Sequence, residues 1–394
     1  MNATATLLAA LFFMTVLTAQ NNDYDAQWQN VEALELEGKP KSALQVVEAI
    51  STEAKKEGNE IQLIKTLLFK SKFALVTEEG ATLKVIQAFK TEIENARPPA
   101  KNVLENMLAK LYWDYFQTNR WKFYNRTTTQ QKVDTLDFRT WGLETLFTEI
   151  KTHYKNSLKN GLLLQQTPIA DYEVLVIQAE TPQNHRPSLF DLLAHNAFAF
   201  FTTDENSIAH PAFKFEITDP KWLSPAMGFP RLAVVSKDSS SLQLEALKTY
   251  QRLISFHLKN NPVALANIDL ERLQYVYKNA RFPQKNELYL NALQKGKAAT
   301  NNPTAKHAYD LETAKHYNDL GNTYGPKTKP EHQWKKKEAL AIATKIIAQG
   351  SDSLLRNNAR LLAKSITRPS VKISAERYVP IGTESLMLVN YKNH

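Results

Sequence analysis

Carboxylates and imidazoles are the side chains to weigh first, because paired acids do acid–base work and histidines hold metals or carry protons. Asp204-Glu205, His210 and Asp219 fall within residues 202–235, a stretch broken by Pro211, Pro220, Pro225 and Pro230. Brought together in one pocket they could serve a hydrolase; beside prolines, acids also serve as turn and cap residues. Asp191 and His195 are four apart on an apolar segment, the spacing of a contact along a helix face. His195 there reads as a hydrogen-bonded core histidine, and Glu331-His332 has no partner at metal-ligand spacing. The chain has no Gly-rich phosphate loop, no His-Glu-x-x-His helix and no Gly-x-Ser-x-Gly elbow. It has no Cys, hence no thiol nucleophile, disulfide or Cys-based metal site. The sequence therefore assigns no catalytic, cofactor-binding or metal residue and no cofactor, and reads as a non-enzyme.

Aromatics beside Arg and Asn can stack on sugars or peptide side chains. Trp113, Tyr115, Phe116, Trp121, Phe123 and Tyr124 form such a cluster, with packing between helices as the competing reading. A binding groove would need Trp113, Trp121 and Trp141 exposed along it. Asn125-Arg126-Thr127 is a glycosylation sequon that matters only in a eukaryotic secretory route. The charge is +9, from 49 Lys and Arg against 40 Asp and Glu. The lysines interleave with Glu and Gln, and even the densest run, Lys335-Lys336-Lys337, reads as a solvated face rather than a nucleic-acid surface.

These residues have to be positioned by helices. Gly is scarce at 11 in 394 residues, and the apolar spacing is three-four over most of the chain. Trp28, Val31, Leu34 and Leu36 open a helix that Gly38 and Pro40 break. Leu44, Val47 and Ile50 mark a second, Ile61, Ile64, Leu67 and Leu68 a third after Gly58, and Leu83, Ile86, Phe89 and Ile93 a fourth after Gly80. Leu104, Met107, Leu108, Leu111, Tyr112 and Tyr115 form the strongest stripe. Helices are expected again at 143–157, 188–201, 239–259, 263–278 and 284–296, with a long connection over 117–145 and a Pro-rich loop with short extended pieces over 211–235. Lys41-Ser42-Ala43-Leu44-Gln45-Val46 aligns with Lys337-Glu338-Ala339-Leu340-Ala341-Ile342. An Ala at that place lets the two helices of a tetratricopeptide-type hairpin approach closely.

The ends differ in kind. Leu7 to Leu17 is an apolar run with one interruption, followed by Thr18-Ala19-Gln20, and reads as a signal peptide over residues 1–19. It is too short to span a bilayer, which takes about 20 residues. At the other end Val371-Lys372-Ile373-Ser374 alternates, Pro380-Ile381-Gly382 turns, and Leu386 to Tyr391 reads as a second strand. The fold class is therefore mainly α: an irregular helical-hairpin, tetratricopeptide-like array with a short β segment at the C-terminus. The expected divisions are 1–19, signal peptide; 20–118, N-terminal hairpins; 119–235, a helical region with aromatic and Pro-rich loops; 236–368, C-terminal hairpins; and 369–394, the start of a β-domain.

Taken in order, several stretches resemble the N-terminal region of bacterial α2-macroglobulin-like proteins of the Bacteroidetes type. They are Lys41 to Val47, Leu111-Tyr112-Trp113-Asp114-Tyr115-Phe116 through Trp121, Asp137-Phe138-Arg139-Thr140-Trp141, Leu193-Ala194-His195, Phe215 to Pro220, Asp269-Leu270-Glu271-Arg272-Leu273 and Leu386 to Asn393. No single motif is specific; the series is. The resemblance implies a non-enzymatic scaffold heading an endopeptidase inhibitor, exported to the periplasm or cell surface of a Gram-negative bacterium. Its partners would be the macroglobulin β-domains that follow such a region and, through the full-length protein, proteases, with no nucleic acid and no membrane span. The sequence departs from the family in having no thioester Cys and in stopping where the β-domains would begin, so bait and thioester regions are lacking. The alternative is a stand-alone periplasmic helical-repeat module that binds peptide or glycan.

Overall fold

The computed structural model describes residues 24–124, 134–175, 185–205, 214–238, 240–376 and 378–392. The expected signal peptide, the sequon and His210 lie outside them. The chain divides into two compact units, Met1–Ala212 and Phe213–His394, and the mainly helical architecture read from the sequence is what it adopts.

In the first unit, α1 (residues 24–36) and α2 (Pro40–Glu57) form a hairpin. Gly38 takes a φ of +71° between them, a conformation costly for any residue with a Cβ, and Pro40 occupies the first turn of α2, where its missing N–H is not needed. Tyr24, Trp28 and Val31 of α1 close on Ala43, Val47, Ile50 and Ala54 of α2, with Phe73 completing the cluster. Ala43 is fully buried, which is the close approach its place in the sequence demands. Gly58 is left-handed and the Asn59 N–H donates back to the Ala54 carbonyl at 2.9 Å, closing α2 with the bond pattern typical of glycine-terminated helices. The Asn59 side chain then caps α3 (Glu60–Thr77) by accepting from the Gln62 N–H.

Helices α4 (Ala81–Asn95), α5 (Ala100–Thr118), α6 (Arg120–Tyr124), α7 (Leu143–Ser157), α8 (Gly161–Gln166) and α9 (Leu189–Phe201) follow. Helix α5 is the axis of this unit and buries Leu104, Leu108, Tyr112, Trp113 and Phe116. It also buries amides that tie its neighbours to it. Asn102 donates to the Ser157 and Lys159 carbonyls at 3.1 and 2.9 Å. Asn106 donates to the Leu193 carbonyl at 3.0 Å. Such bonds satisfy groups that would otherwise cost free energy to bury.

In the second unit, residues 214–238 form the expected loop, with 3-10 turns at Pro220–Leu223 and Phe229–Arg231 and extended backbone at Asp219 and Leu232; among the described residues of that stretch there is no strand. Prolines at the first helical positions favour these tight turns over extension. Then come α10 (Leu242–His257), α11 (Pro262–Asn279), α12 (Lys285–Ala298), α13 (Pro303–Asn322), α14 (Lys335–Gln349) and α15 (Ser353–Thr367). Asn261, Asn302 and Asp352 each accept from backbone N–H groups at the starts of α11, α13 and α15, the capping chemistry expected of those residue types. Between α13 and α14 the seam is Ala314 on Ala339, with Ile366 of α15 alongside. A Cβ on Gly321 would lie 3.1 Å from the Lys336 backbone nitrogen, so the two helices touch where the hairpin turns. Ala339 is as fully buried as Ala43, and the faint internal repeat corresponds to the same packing device used twice.

The chain then forms an antiparallel pair, β1 (Ser370–Ala375) and β2 (Met387–Lys392), in the register Val371↔Tyr391, Ile373↔Val389 and Ala375↔Met387. Residues directly opposite share a face. One face therefore carries Val371, Ile373, Ala375, Met387, Val389 and Tyr391, and the other Ser370, Lys372, Ser374, Leu388, Asn390 and Lys392. Every member of the first face is exposed, from Val389 at 43% to Tyr391 at 73% among its large side chains.

Candidate functional site

The acidic residues singled out in the sequence are spoken for. Asp219 caps the turn at Pro220–Leu223 through the Lys221 N–H at 2.9 Å and pairs with the Lys221 ammonium at 2.8 Å. That hydrogen bond and charge hold its carboxyl below the usual carboxylate range. Glu205 is bound by the Arg120 guanidinium and the Tyr124 hydroxyl, while Asp204 is exposed. Asp191 is buried and works as a helix cap: its carboxylate accepts from the Ser188 N–H at 3.0 Å and the Ser188 hydroxyl at 2.6 Å. His195 Nδ1 donates to the Asp191 carbonyl oxygen at 2.7 Å, so the pair meets through backbone rather than through the carboxylate. His332 is buried and shares a 2.8 Å hydrogen bond with the Thr323 hydroxyl. Among the described residues no three His, Asp or Glu side chains gather as a metal site.

The aromatic cluster is largely packing. Trp113 stacks on Phe116 with centroids 5.3 Å apart and meets Phe200 edge-on at 5.1 Å, and Phe116 meets Phe147 at 5.0 Å. These rings lock α5, α7 and α9 together in geometries worth more than their area alone. Trp141 is fully buried, with its ring nitrogen donating to the Asp134 carbonyl at 2.5 Å. Trp121, by contrast, is 65% exposed and carries the Lys122 ammonium 5.3 Å from its ring. The exposed tryptophan wall that a glycan groove would need is reduced to this one ring of the three.

The site that sequence reasoning missed lies in the first unit, between α2, α3, α4 and α5. It is a cleft of about 400 Å³, within the range of roughly 300–1,000 Å³ usual for small-molecule sites. Its floor is mostly apolar, with Leu63, Ile64 and Leu67 of α3, Ala88 of α4, Ala96, and Ala100 and Leu104 of α5, and Ser51, Thr66 and Asn95 among them. The sequence expects Ile61, Ile64, Leu67 and Leu68 to be the core stripe of α3, yet only Ile64 of the four is buried. Helix α3 instead buries Gln62, Thr66 and Ser71. Gln62 can be buried because its side-chain oxygen accepts from the Trp28 ring nitrogen at 2.7 Å. Thr66 and Ser71 donate to carbonyls within their own helix. Leu63 and Leu67 stay partly exposed and, with the buried Ile64 and Thr66, line the cleft.

Four ionisable groups rim it: Lys55, Lys70, Glu60 and Glu92. Lys70 is half-buried and forms no hydrogen bond or ion pair among the described residues. Burial, and then the positive charge of Lys55, push its ammonium below the ordinary lysine value, with Glu48 and Glu92 pulling it partly back. The arrangement offers a largely apolar slot with a cation on its rim that has carboxylates nearby but no direct ion pair among the described residues.

No protein-family model matches the chain, and comparison with curated proteins and with solved structures finds no match either. Among the described residues no helix is long and apolar enough to cross a membrane.

Proposed function

We propose that this chain is a non-enzymatic helical scaffold at the head of an exported protein of the α2-macroglobulin-like kind, a family of endopeptidase inhibitors. It would act as part of a protease trap, together with β-domains that supply the bait. The observation that carries this reading is the β1–β2 ribbon. A two-stranded ribbon is marginal alone in water. This one leaves a complete apolar face uncovered, the face that a second sheet covers when two sheets pack about 10 Å apart in a sandwich. Its polar face and its tether to α15 fit the outer layer of such a sandwich. Export to a periplasm or cell surface accords with the absence of Cys and the apolar leader.

The test is to sequence the gene beyond the codon for His394 and to follow the natural product. A frame that continues into strands alternating in the same register supports the scaffold reading. A stop codon there, with a stable product that leaves β1–β2 in water, sinks it. A stand-alone binding module is the second reading, and the cleft of the first unit is what favours it.

A further inference from the structure

We propose that the cleft between α2 and α5 binds a monovalent organic anion with an apolar body, of the medium-chain carboxylate class, its tail on Leu63, Leu67 and Ala88 and its head on Lys70.

Three independent features converge on that chemistry. The first is the partial exposure of the α3 leucines: Leu63 and Leu67 stay accessible and line the cleft beside the buried Ile64 and Thr66. Leucines left half-exposed in a concave site gain free energy when an apolar ligand removes them from water. The second is Lys70, a half-buried ammonium without an ion pair. A carboxylate brought to it replaces lost hydration with a charge-assisted hydrogen bond. The third is the sign pattern of the rim. Lys55 adds a second positive charge beside Lys70, while Glu60 and Glu92 face the same space. One negative charge at the Lys70 end is attracted by both ammoniums and opposed by Glu92, so a monoanion is the most that the rim accepts. A second, on the head or at the far end of the tail, meets either a carboxylate or the apolar floor.

The experiment is isothermal titration of the full chain with decanoate, with decanol and decylammonium as neutral and cationic analogues and decanedioate as the dianion. Decanoate should bind tightest and saturate at one equivalent. Lys70→Met keeps the stem and removes the charge, so it should weaken decanoate about tenfold, the value of a hydrogen bond to a charged group, and leave decanol almost unchanged. Ala88→Phe fills the floor and should abolish both, with the thermal melt retained in each variant. The affinity of wild type for decanoate should fall as pH is raised and the ammonium is lost, and that of Lys70→Met should not. Failure of decanoate to bind, equal affinity for decylammonium, no response to Lys70→Met in a folded protein, or binding of a leucine-rich acidic peptide in place of decanoate would each overturn the proposal. None of these results depends on whether the chain heads a protease trap.

Discussion

Around α5 of the first unit helices meet through rings, and around α14 of the second they meet through alanines. Around α5 the contacts are Trp113, Phe116, Phe147, Tyr154 and Phe200, each touching others at centroid distances between 5.0 and 5.9 Å. Around α14 they are Ala314, Ala339, Ala343 and Ala359, all fully buried. Bulky rings hold helices apart and fill the space between; small residues let backbones close and leave little to fill. The two solutions fail in opposite ways. A ring core is hurt by removing volume and an alanine seam by adding it.

The comparison can be broken at its strongest points first. Phe200→Ala in the first unit should cost about 3–5 kcal/mol, the usual price of a large buried aromatic, read by denaturant unfolding followed at α5 and α9. A loss under 1 kcal/mol would mean the rings are not the main fastening there. An effect of similar size belongs to Arg272 in the second unit. This guanidinium is fully buried, ion-paired with Asp269, donates to the Trp222 carbonyl at 2.7 Å and lies 4.5 Å from the Phe229 ring centroid. Tyr309 in turn donates to Asp269 at 2.8 Å. Arg272→Ala strands the Asp269 charge and should cost about 3–5 kcal/mol. Replacing Arg272 and Asp269 together by leucine and alanine should cost less than the single change. Next in size is Ala339→Leu, which should destabilise the α13–α14 hairpin by about 1–3 kcal/mol through overpacking, while truncating an alanine of that seam removes a single methyl.

The smallest contrast is in acid–base behaviour, and it has opposite signs. His153 in the first unit pairs with Glu105 at 2.5 Å and stacks on Tyr112. Burial pulls its pKa down, but the hydrogen bonds and charges of Glu105 and Glu149 outweigh that and raise it. The folded state then holds the proton more tightly than the unfolded chain. The stabilisation is fully present below the ordinary histidine value of about 6.5 and is lost as pH rises through the raised one. His316 in the second unit is packed edge-on against Tyr277 and Tyr289. Burial lowers its pKa despite the nearby carboxylates of Asp319 and Glu312, with His332 lowering it further. The stabilisation it gives is present above the ordinary value and lost as pH falls below it. Hydrogen exchange across pH 5 to 8, a range centred near that value, should show α7 loosening toward the alkaline end and α13 toward the acid end. His153→Gln and His316→Phe should each flatten one of the two slopes.

Much of this fold is visible in residue spacing. Ala43 and Ala339 sit where a hairpin needs a small side chain, the Leu104–Tyr115 stripe marks the central helix, and the alternation at Val371 and Ile373 marks a strand. Each is a local pattern with a local cause. The cleft is not legible in this way, because its floor is assembled from residues between Leu63 and Leu104 on three helices, and because α3 reads the wrong way round. Ile61, Leu67 and Leu68 have core spacing, while the burial of Gln62 depends on a tryptophan 34 positions away. The spacing of Asp191 to His195 marks a contact along a helix face, and His195 reaches the Asp191 carbonyl. The carboxylate of Asp191 forms a capping box with Ser188, a role that the spacing to His195 does not reveal. The short α8 has too few turns for periodicity to register.

The ribbon of β1 and β2 also sets the colloidal behaviour of the chain. A hydrophobic strip paired with an open strand edge is self-complementary, since two copies stacked face to face or edge to edge bury the same surface. The associated fraction should therefore rise with concentration even though each molecule carries a net charge of +9, and added salt, by screening that charge, should bring the onset to lower protein concentration. Light scattering at increasing ionic strength should show it, and Ile373→Lys on the apolar face should restore net repulsion.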